Sequence, residues 1–329
     1  MAAELDHAPN ERPAGTGPVR IAISISTLHR AEGLARTLES LAQQQPSAAD
    51  PFLLCAVVVN NDPQDPAPRQ AAIAVAERTG MAVAVHDEPQ RGIAPPRNRG
   101  LAVAREIVGD RGLIGFIDDD EIAPAGWLAE LLKVKREHRA DIVTGPVEPR
   151  FEEAPPRWVA RGGFFARQSF PTGTTRPWAF TNNILFDAAL LSRLDRWFDD
   201  SFLRLGEDRH FFARLARSGA RIAWANDAVV IESIDPRRTT AAWLVSRLRT
   251  VGRCVPLIER DLHGPLRANL VCLCKAAVWI PLGGATAIAG ILGGTAMRVR
   301  GRRWIAYGFG LVEGVCAPSR GGRPARSDH

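Results

Sequence analysis

Apolar and polar positions alternate along the first half of the chain in a way that predicts strands and helices in turn. Residues 19–26 alternate apolar with small or polar side chains, and residues 52–59 form a continuous apolar run, so both are predicted strands. Leucines at helical spacing predict a helix over residues 32–41. Further strands are predicted at 81–85, 113–117 and 141–147, with helices at 71–79, 98–108 and 126–138. This alternation predicts an α/β protein with a parallel, doubly wound sheet.

The pattern continues less regularly beyond residue 147. Residues 149–178 are rich in proline and irregular. A loop of that length inside a compact domain is usually functional, so we expect a lid or an acceptor-binding segment there. A strand at 181–186, helices at 187–194 and 207–218, and two short strands within 221–231 complete the predicted domain.

A run of four carboxylates follows the predicted strand at 113–117. Asp118, Asp119, Asp120 and Glu121 repel one another, so a folded chain that keeps them beside an apolar strand needs a nearby cation, most simply a divalent metal. An ordinary acidic surface loop is the alternative. Ligand sites of open α/β sheets lie at the carboxyl ends of strands, and the position of this run therefore favours a metal or ligand site.

Polar residues also follow the first two predicted strands. The first ends in Ser26-Thr27 and the second in Asn60-Asn61-Asp62, while Arg97 stands near the start of a predicted helix. In a doubly wound sheet these positions share one edge, so their side chains can converge on one ligand. Asparagine there can bond a base or a ribose, although Asn-Asp-Pro is also ordinary turn chemistry. The arginine suits a phosphate, although an arginine that opens a helix is often simply solvated.

A second acidic pair, Glu207 and Asp208, opens the predicted helix at 207–218. The helix dipole and the free amides of a first turn favour carboxylates there, which is a purely structural explanation. The functional alternative is a general base that deprotonates an incoming hydroxyl. Separate carboxylates for a metal and for proton transfer are what displacement at a phosphate-activated carbon requires.

The C-terminal part of the chain is apolar and has basic flanks. Residues 276–297 carry no charge, and a helix of that length, at about 1.5 Å per residue, would just cross a bilayer core of about 30 Å. Arginines on both flanks favour an in-plane or re-entrant helical hairpin, broken near Gly283 and with both ends cytoplasmic, over a single span. The alternative is a soluble hairpin packed on the main domain or on a second subunit. A shorter apolar segment at 304–317 contains Glu313 and is expected at the membrane interface.

Composition narrows the function classes. The formal charge of +6 comes partly from arginines near the C-terminus, which indicates contact with a phosphorylated ligand or lipid head groups. A single tyrosine and scattered aromatic residues provide no base-stacking platform, so nucleic acid is not expected as a partner. Five cysteines without a Cys-x-x-Cys pair indicate neither a disulfide framework nor a zinc site. We expect disordered tails at 1–18 and 319–329, a main domain over 19–255, and an apolar and basic, membrane-associated helical region over 256–318.

Six motifs occur in an order that resembles the bacterial family 2 glycosyltransferases of the GT-A fold. They are IAISIST at 21–27, VVVNND at 57–62, GIAPPRN at 92–98, DDD at 118–120, TNN at 181–183 and GED at 206–208. Each motif alone is weak, but the six in this order are specific for fold and reaction class, and not for the sugar. The resemblance covers roughly residues 19–255 and implies a Rossmann-like, mixed and mostly parallel sheet flanked by helices.

The resemblance assigns roles residue by residue. It implies that Asp118 and Asp120 form the family's D-x-D motif, with Asp120 bound directly to a Mg²⁺ or Mn²⁺ that bridges the diphosphate. Asp208 matches the family's catalytic base, and Glu207 matches its partner on the acceptor side. The residues that the resemblance places around the nucleotide sugar are Thr27, Glu32, Asn60, Arg97, Asp118, Asp119, Asn183, Trp243 and Arg247.

The chain departs from the family pattern at three places. Asn60 stands where the family commonly has an aspartate that contacts uracil, which leaves the identity of the base open. Glu232 stands where many members have a histidine ligand, and since a carboxylate also binds Mg²⁺ or Mn²⁺ it is kept as a third candidate metal ligand. Pro95 and Pro96 replace small residues before Arg97 and are expected to stiffen a loop there.

Taken together, the residues and the resemblance predict an inverting, metal-dependent glycosyltransferase. Its donor would be a nucleotide-diphosphate sugar, and its acceptor a hydroxyl of a lipid-linked or cell-envelope glycan. The apolar C-terminal region predicts a peripheral or monotopic protein at the cytoplasmic face of the plasma membrane. The alternatives are a sugar nucleotidyltransferase, although the first strand is not followed by a glycine-rich phosphate loop, and a non-catalytic, membrane-associated protein that binds nucleotide sugars.

Overall fold

A central sheet of eight strands organises the computed structural model, which describes residues 17–202 and 205–317. The strands of the described residues are β1 (Val19–Thr27), β2 (Phe52–Asn60), β3 (Ala82–Asp87), β4 (Leu113–Phe116), β5 (Glu121–Ile122), β6 (Ile142–Thr144), β7 (Val147–Phe151), β8 (Thr175–Arg176), β9 (Ile184–Asp187), β10 (Ile222–Trp224) and β11 (Val230–Ile234). Three of them, β5, β7 and β11, form a second sheet. The α-helices are α1 (Ala31–Ala42), α2 (Ala67–Thr79), α3 (Ala94–Val108), α4 (Trp127–Glu137), α5 (Arg157–Gly162), α6 (Glu207–Arg217), α7 (Ala241–His263), α8 (Pro265–Gly293) and α9 (Thr295–Cys316).

The sheet order is β3-β2-β1-β4-β9-β6-β10-β8. Strands β3, β2, β1 and β4 run parallel to one another, and β6 runs parallel to β10, whereas β9 is antiparallel to both β4 and β6 and β8 is antiparallel to β10. The register pairs Thr27 with Asn60, so the carboxyl ends of β1 and β2 lie side by side. The prediction of a mixed, mostly parallel α/β sheet is therefore confirmed.

Helices cover both faces of the sheet, and each buries its apolar stripe. On one face, α1 packs Leu34, Leu38 and Leu41 into a core that α4 completes with Trp127. On the other face, α3 and α6 build a second core, to which α6 contributes the neighbouring rings of Phe211 and Phe212. The leucine spacing that predicted the first helix is thus the spacing of its buried side.

A second, three-stranded sheet in the order β5-β11-β7 lies at the acidic segment. Its register sets Glu121 of β5 opposite Glu232 of β11. The amide of Ser233 donates a 3.0 Å hydrogen bond to the carbonyl of Asp120. This small sheet therefore brings Glu232, more than a hundred residues away in sequence, next to the four carboxylates.

Several predicted boundaries shift. Helix α3 begins at Ala94, so Pro95 and Pro96 lie in its first turn, where proline is tolerated, and the prediction that they stiffen a loop is wrong. The predicted helix at 187–194 is a 3₁₀-helix over Ala188–Arg193. The irregular segment at 149–178 contains the end of β7, the short helix α5 and the two-residue strand β8.

The C-terminal region is a three-helix unit, and its predicted break is wrong. Helix α8 continues through Pro281 and Gly283, and the chain turns at Gly294, which has φ of +92°. Gly283 is buried where α8 crosses α9, so tertiary packing compensates for its poor helix propensity. The predicted short segment at 304–317 is the second half of the continuous helix α9. Helix α7 joins the unit through a buried cluster of Val255, Cys272, Ala276 and Leu311.

Among the described residues, α8 is the one helix that is long and apolar enough to cross a membrane. Only 17 % of its most apolar stretch is buried in the structure. Exposed large side chains along it include Leu270, Ile288, Ile291 and Leu292, of which Leu292 is 96 % exposed. The predicted boundary between residues 255 and 256 falls inside α7, and the predicted tails lie outside the described residues except for residues 17 and 18.

Candidate active site

The carboxyl ends of β1, β2 and β4 meet at one edge of the sheet, and the acidic run lies there. The Thr27 hydroxyl, at the end of β1, donates a 2.8 Å hydrogen bond to Oδ2 of Asp119. Both residues are buried. The run is therefore fixed in place by the strand beside it, as expected for a ligand site at the carboxyl edge of an open sheet.

An arginine supplies the positive charge that four adjacent carboxylates require. Nη1 of Arg30 lies 3.0 Å from Oδ1 of Asp119 and 2.9 Å from Oδ2 of Asp120. Burial raises the pKa of Asp119 to about 6, although Arg30 and the Thr27 hydroxyl oppose the rise. Sequence reasoning missed Arg30, and the available signal was its position three residues after the first strand.

Glu121, the last acid of the run, faces inward. The carboxylate of Glu121 accepts a 2.8 Å hydrogen bond from the backbone amide of Asp118 and is almost completely buried. Burial raises the pKa of Glu121 well above its usual range, and the charge of Asp118 adds to that rise. Glu121 therefore shapes the turn, whereas Asp118, with 45 % of its side chain exposed, is open to a ligand.

The two acidic motifs converge through Arg97. Its guanidinium forms an ion pair with Glu207 and lies 3.6 Å from Oδ1 of Asp118. Desolvation by the surrounding protein raises the pKa of Asp118 even though its side chain is partly exposed, Arg97 opposes the rise, and the negative charges of Glu232 and Asp208 add to it. The fold thus brings Asp118, Asp208 and Glu232 within electrostatic range of one another.

The acidic pair opens α6, whose N-terminus is set by Gly206 at φ of +101°. Glu207 is 2 % exposed, and its Oε2 is buried without a hydrogen-bond partner in the described part of the chain. Asp208 is half-buried. Because the protein encloses Oε2 of Glu207, Asp208 is the carboxylate of the pair that a ligand can reach.

A second arginine bridges the last core strand and the acidic run. Nη1 of Arg238 lies 2.7 Å from Oε1 of Glu232 and 3.9 Å from Oδ2 of Asp120, and its guanidinium stands 5.1 Å from the ring centre of Trp243. Burial and the charge of Arg238 lower the pKa of Arg247, while Asp208 and Glu232 oppose that shift. Trp243 and Arg247 of α7 therefore border the site, and Arg238 is a second residue that sequence reasoning missed.

Three predicted site residues have surroundings that differ from those of this cluster. The Asn60 amide is buried and donates to the carbonyls of Asp62 and Asp65 at 2.8 and 3.0 Å, which is the turn chemistry that was its alternative explanation. Asn183 is fully buried, so its side chain is not exposed to a ligand. Glu32 is solvent-exposed in the first turn of α1.

The residues present fit a hard divalent cation that shares its coordination with a ligand. Within residues 17–202 and 205–317, no three His, Cys, Asp or Glu side chains form a group that could hold a metal by themselves. Asp118 and Asp120 nevertheless offer carboxylate oxygens at one edge, and Mg²⁺ commonly uses one or two carboxylates together with substrate phosphates. The nearby guanidinium of Arg97 adds a charge suited to a diphosphate.

Comparison with known proteins identifies the family. The sequence profile described as Glycosyl transferase family 2 matches residues 22–194. The succinoglycan biosynthesis protein ExoM of Rhizobium meliloti (strain 1021) is 30 % identical over 269 residues, which cover 78 % of this chain and 81 % of ExoM.

Solved structures show the same fold at low sequence identity. The mannosyltransferase PcManGT from Pyrobaculum calidifontis superimposes with a TM-score of 0.58 at 20 % identity, covering 94 % of this chain and 90 % of that one. TarS 1–349 of S. aureus gives 0.51 at 13 % identity, covering 89 % and 90 %. The chain therefore belongs to glycosyl transferase family 2 and is a glycosyltransferase with a GT-A fold.

Proposed function

We propose that the protein is an inverting, metal-dependent transferase that moves a sugar from a nucleotide-diphosphate sugar to a hydroxyl of a lipid-linked or cell-envelope glycan. The observation that carries this proposal is the convergence of Asp118, Asp208 and Arg97 at one sheet edge. The guanidinium of Arg97, whose charge suits a phosphate, lies between the two sets of carboxylates. This arrangement matches a displacement in which one set holds the leaving group and the other takes a proton from the acceptor hydroxyl.

The comparisons support the donor class and the cation. PcManGT was solved with GDP-Man and Mn²⁺, and TarS 1–349 was solved with UDP-GlcNAc. ExoM is named for the biosynthesis of succinoglycan, a polysaccharide. Membership in the family favours transfer over the nucleotidyltransferase and non-catalytic alternatives.

In the proposed reaction the acceptor oxygen attacks the anomeric carbon as the bond from that carbon to the diphosphate oxygen breaks. Asp208 takes the acceptor's proton, and Glu207, fixed by its ion pair with Arg97, positions the start of α6 on the acceptor side. Arg97 offers its charge to the departing diphosphate. Mg²⁺ or Mn²⁺, held by Asp118 and Asp120 with Glu232 as a third candidate ligand, would supply further charge neutralisation of the leaving group.

The exposed face of α8 supports a membrane location for this reaction. A helix from residue 265 to 293 is roughly 43 Å long at about 1.5 Å per residue, and its apolar side chains meet solvent in the isolated chain. Basic residues lie near both ends of the helix, Arg267 in its first turn and Arg298 in the first turn of α9. We propose that α8 lies in or against the cytoplasmic face of the plasma membrane, beside a membrane-assembled acceptor.

The reaction is tested with a panel of radiolabelled nucleotide sugars, Mn²⁺, and a membrane lipid extract as the source of acceptor. We expect label to enter the lipid fraction for one donor class, EDTA to abolish transfer, and the newly formed linkage to be inverted at the anomeric carbon. Asp120→Ala is expected to weaken donor binding in the presence of Mn²⁺ by at least about tenfold. The proposal would be overturned if the anomeric configuration were retained. It would also be overturned if neither EDTA nor Asp120→Ala changed the affinity for the donor.

The membrane location is tested separately by flotation with anionic vesicles. Replacing Ile288, Ile291 and Leu292 by serine should release the protein from vesicles. A matched control replaces Leu53 and Ile73, which are 58 % and 46 % exposed on the main domain, and should leave flotation unchanged. Flotation of the α8 variant at the wild-type level would contradict the location.

A further inference from the structure

A cavity of about 220 Å³ lies on the opposite half of the sheet from the expected nucleotide site. It is lined from β6 by Thr144, from β8 by Arg176 and from β10 by Trp224. These strands are at the β6-β10-β8 end of the sheet, whereas Thr27 and Asn60 end β1 and β2 near the other end. The cavity therefore lies on the other half of the sheet from Thr27 and Asn60, and Glu232, a candidate metal ligand, is the part of its lining that faces the donor side.

Glu232 connects the cavity to the catalytic carboxylates. It lines the cavity, is held by Arg238 at 2.7 Å, and its charge contributes to the environment of Asp118. A molecule seated in the cavity would therefore lie next to the cluster that holds Asp118 and Asp120. The cavity is smaller than the roughly 300–1,000 Å³ of pockets that hold drug-sized ligands, which suits a single ring.

Aromatic rings and amides line this cavity together. The rings are those of Phe165, Trp178, Phe180 and Trp224, and the amide side chains are those of Gln168 and Asn182. The negative face of an aromatic ring attracts the partly positive C–H groups of a sugar face, and amides both donate to and accept from hydroxyls. An apolar face edged with hydroxyls is the chemistry of a pyranose.

The lining side chains are held in place before any ligand arrives. The guanidinium of Arg176 lies 4.0 Å from the ring centre of Phe170 and 5.4 Å from that of Trp178, whose ring is 5.0 Å from that of Phe180. Phe165 stacks on Trp243 with the ring centres 6.2 Å apart. Preorganised rings lose little conformational freedom on binding, so the cavity is prepared for a rigid ring.

The wall that carries Phe165 is also fastened to the C-terminal helices. Nη2 of Arg300 in α9 donates a 2.9 Å hydrogen bond to the carbonyl of Gly162, and the guanidinium of Arg303 lies 4.9 Å from the ring centre of Phe164. The segment between β7 and β8 therefore joins the cavity to the helices that we place at the membrane. This connection suits an acceptor that approaches from the lipid surface.

We propose that this cavity binds one pyranose ring of the acceptor glycan, stacked on Trp178 and hydrogen-bonded by Asn182. Its free hydroxyl would be directed towards Asp208, because the guanidinium of the adjacent Arg209 stands 5.2 Å from the ring centre of Trp178. The proposal rests on the proposed function, because it assigns the acceptor side of the same reaction. It adds a sugar-binding site in which Asn182 belongs to the TNN motif, whereas Trp178 lies outside all six sequence motifs.

The test is saturation-transfer NMR with the methyl glycosides of glucose, galactose and mannose as probes and the full-length protein. We expect saturable signals for at least one glycoside in the wild type, retained when nucleotide sugar and Mn²⁺ are added. Trp178→Ala and Asn182→Ala should each lower the signal at least fivefold. Trp158→Ala, which removes a half-exposed tryptophan outside the cavity lining, is the matched control and should keep it.

Steady-state kinetics provide the second readout. Trp178→Ala should raise KM for the lipid-extract acceptor about tenfold or more, while leaving donor affinity within about twofold of the wild type. Absence of glycoside signals in the wild type, their displacement by nucleotide sugar, or equal loss in Trp178→Ala and Trp158→Ala would each overturn the cavity assignment. A failure of the proposed function differs from these, because it would appear as absent donor binding while glycoside binding persists.

Discussion

The Arg238 guanidinium donates a 2.7 Å hydrogen bond to the Glu232 carboxylate. Arg238 also stands 3.9 Å from the carboxylate of Asp120. A cation placed between two candidate metal ligands competes with a metal for the same oxygens.

Replacing Arg238 by glutamine should therefore tighten Mn²⁺ binding in the absence of donor. We expect an affinity gain of about threefold to tenfold, or about 1 kcal/mol, because the repulsion of one partly solvated charge is removed. Isothermal titration with Mn²⁺ measures it. Arg237→Gln, at a neighbouring side chain that is 90 % exposed, is the matched control and should leave the affinity unchanged. Weaker Mn²⁺ binding by Arg238→Gln would contradict the competition.

Two adjacent glycines in α8 test the packing of the C-terminal helices. A Cβ on Gly283 would lie 2.7 Å from both the Gly301 carbonyl oxygen and the Ile305 amide nitrogen, whereas a Cβ on Gly284 would meet nothing within 4 Å. Gly283→Ala should lower stability by about 1–3 kcal/mol through overpacking. Gly284→Ala should raise it by up to about 1 kcal/mol through helix propensity. Thermal unfolding in detergent distinguishes them, and equal melting temperatures would contradict the close contact.

We expect Asn183, unlike its neighbour Asn182, to contribute strongly to the free energy of unfolding. Its Oδ1 accepts from the Trp127 indole at 2.9 Å, and its Nδ2 donates to the carbonyls of Pro146 and Ala228 at 3.0 and 2.7 Å. Asn183→Ala leaves these buried groups unsatisfied and should cost about 3 kcal/mol. Asn182→Ala should change the free energy of unfolding by less than about 0.5 kcal/mol. Urea denaturation measures both, and a small loss for Asn183→Ala would contradict its buried role.

The contact between His210 of α6 and Asp261 of α7 predicts that the stability of the protein depends on pH. Burial lowers the pKa of His210, although its 2.8 Å contact with Asp261 opposes the shift. Since the unfolded chain then binds the proton more tightly, stability should fall as pH falls through the ordinary histidine pKa of about 6.5. Urea titrations between pH 8 and about 5 should give a shallower loss for His210→Gln than for the wild type. Parallel curves would contradict this origin.

Much of the fold could be predicted because α1 and α4 carry apolar side chains at helical spacing and β2 is a continuous apolar run, and the structure buries most of these side chains. The continuity of α8 could not, since Pro281 and Gly283 are poor helix formers locally and only the contact with α9 compensates for Gly283. Periodicity describes one segment at a time, so contacts between distant helices are invisible to it.

The candidate site, like the fold, could be predicted only in part from the sequence. The order of the motifs located Asp118, Asp120 and Asp208, but whether an asparagine amide faces a ligand or the backbone depends on burial, as Asn60 and Asn183 illustrate. The ion pairs of Arg30 and Arg238 join residues from different parts of the chain, and the sequence alone offered no partner for either arginine.

The most direct test of the account is Asp208→Asn, assayed for donor binding and for transfer on the same preparation. With Mn²⁺ and nucleotide sugar, calorimetry should give a Kd within about threefold of the wild type, because Asp208 lies outside the proposed donor and metal contacts. Transfer to the lipid acceptor should fall at least about 100-fold, as expected when a general base is removed. Transfer within tenfold of the wild-type rate at unchanged donor affinity would contradict the assignment of Asp208 as the base.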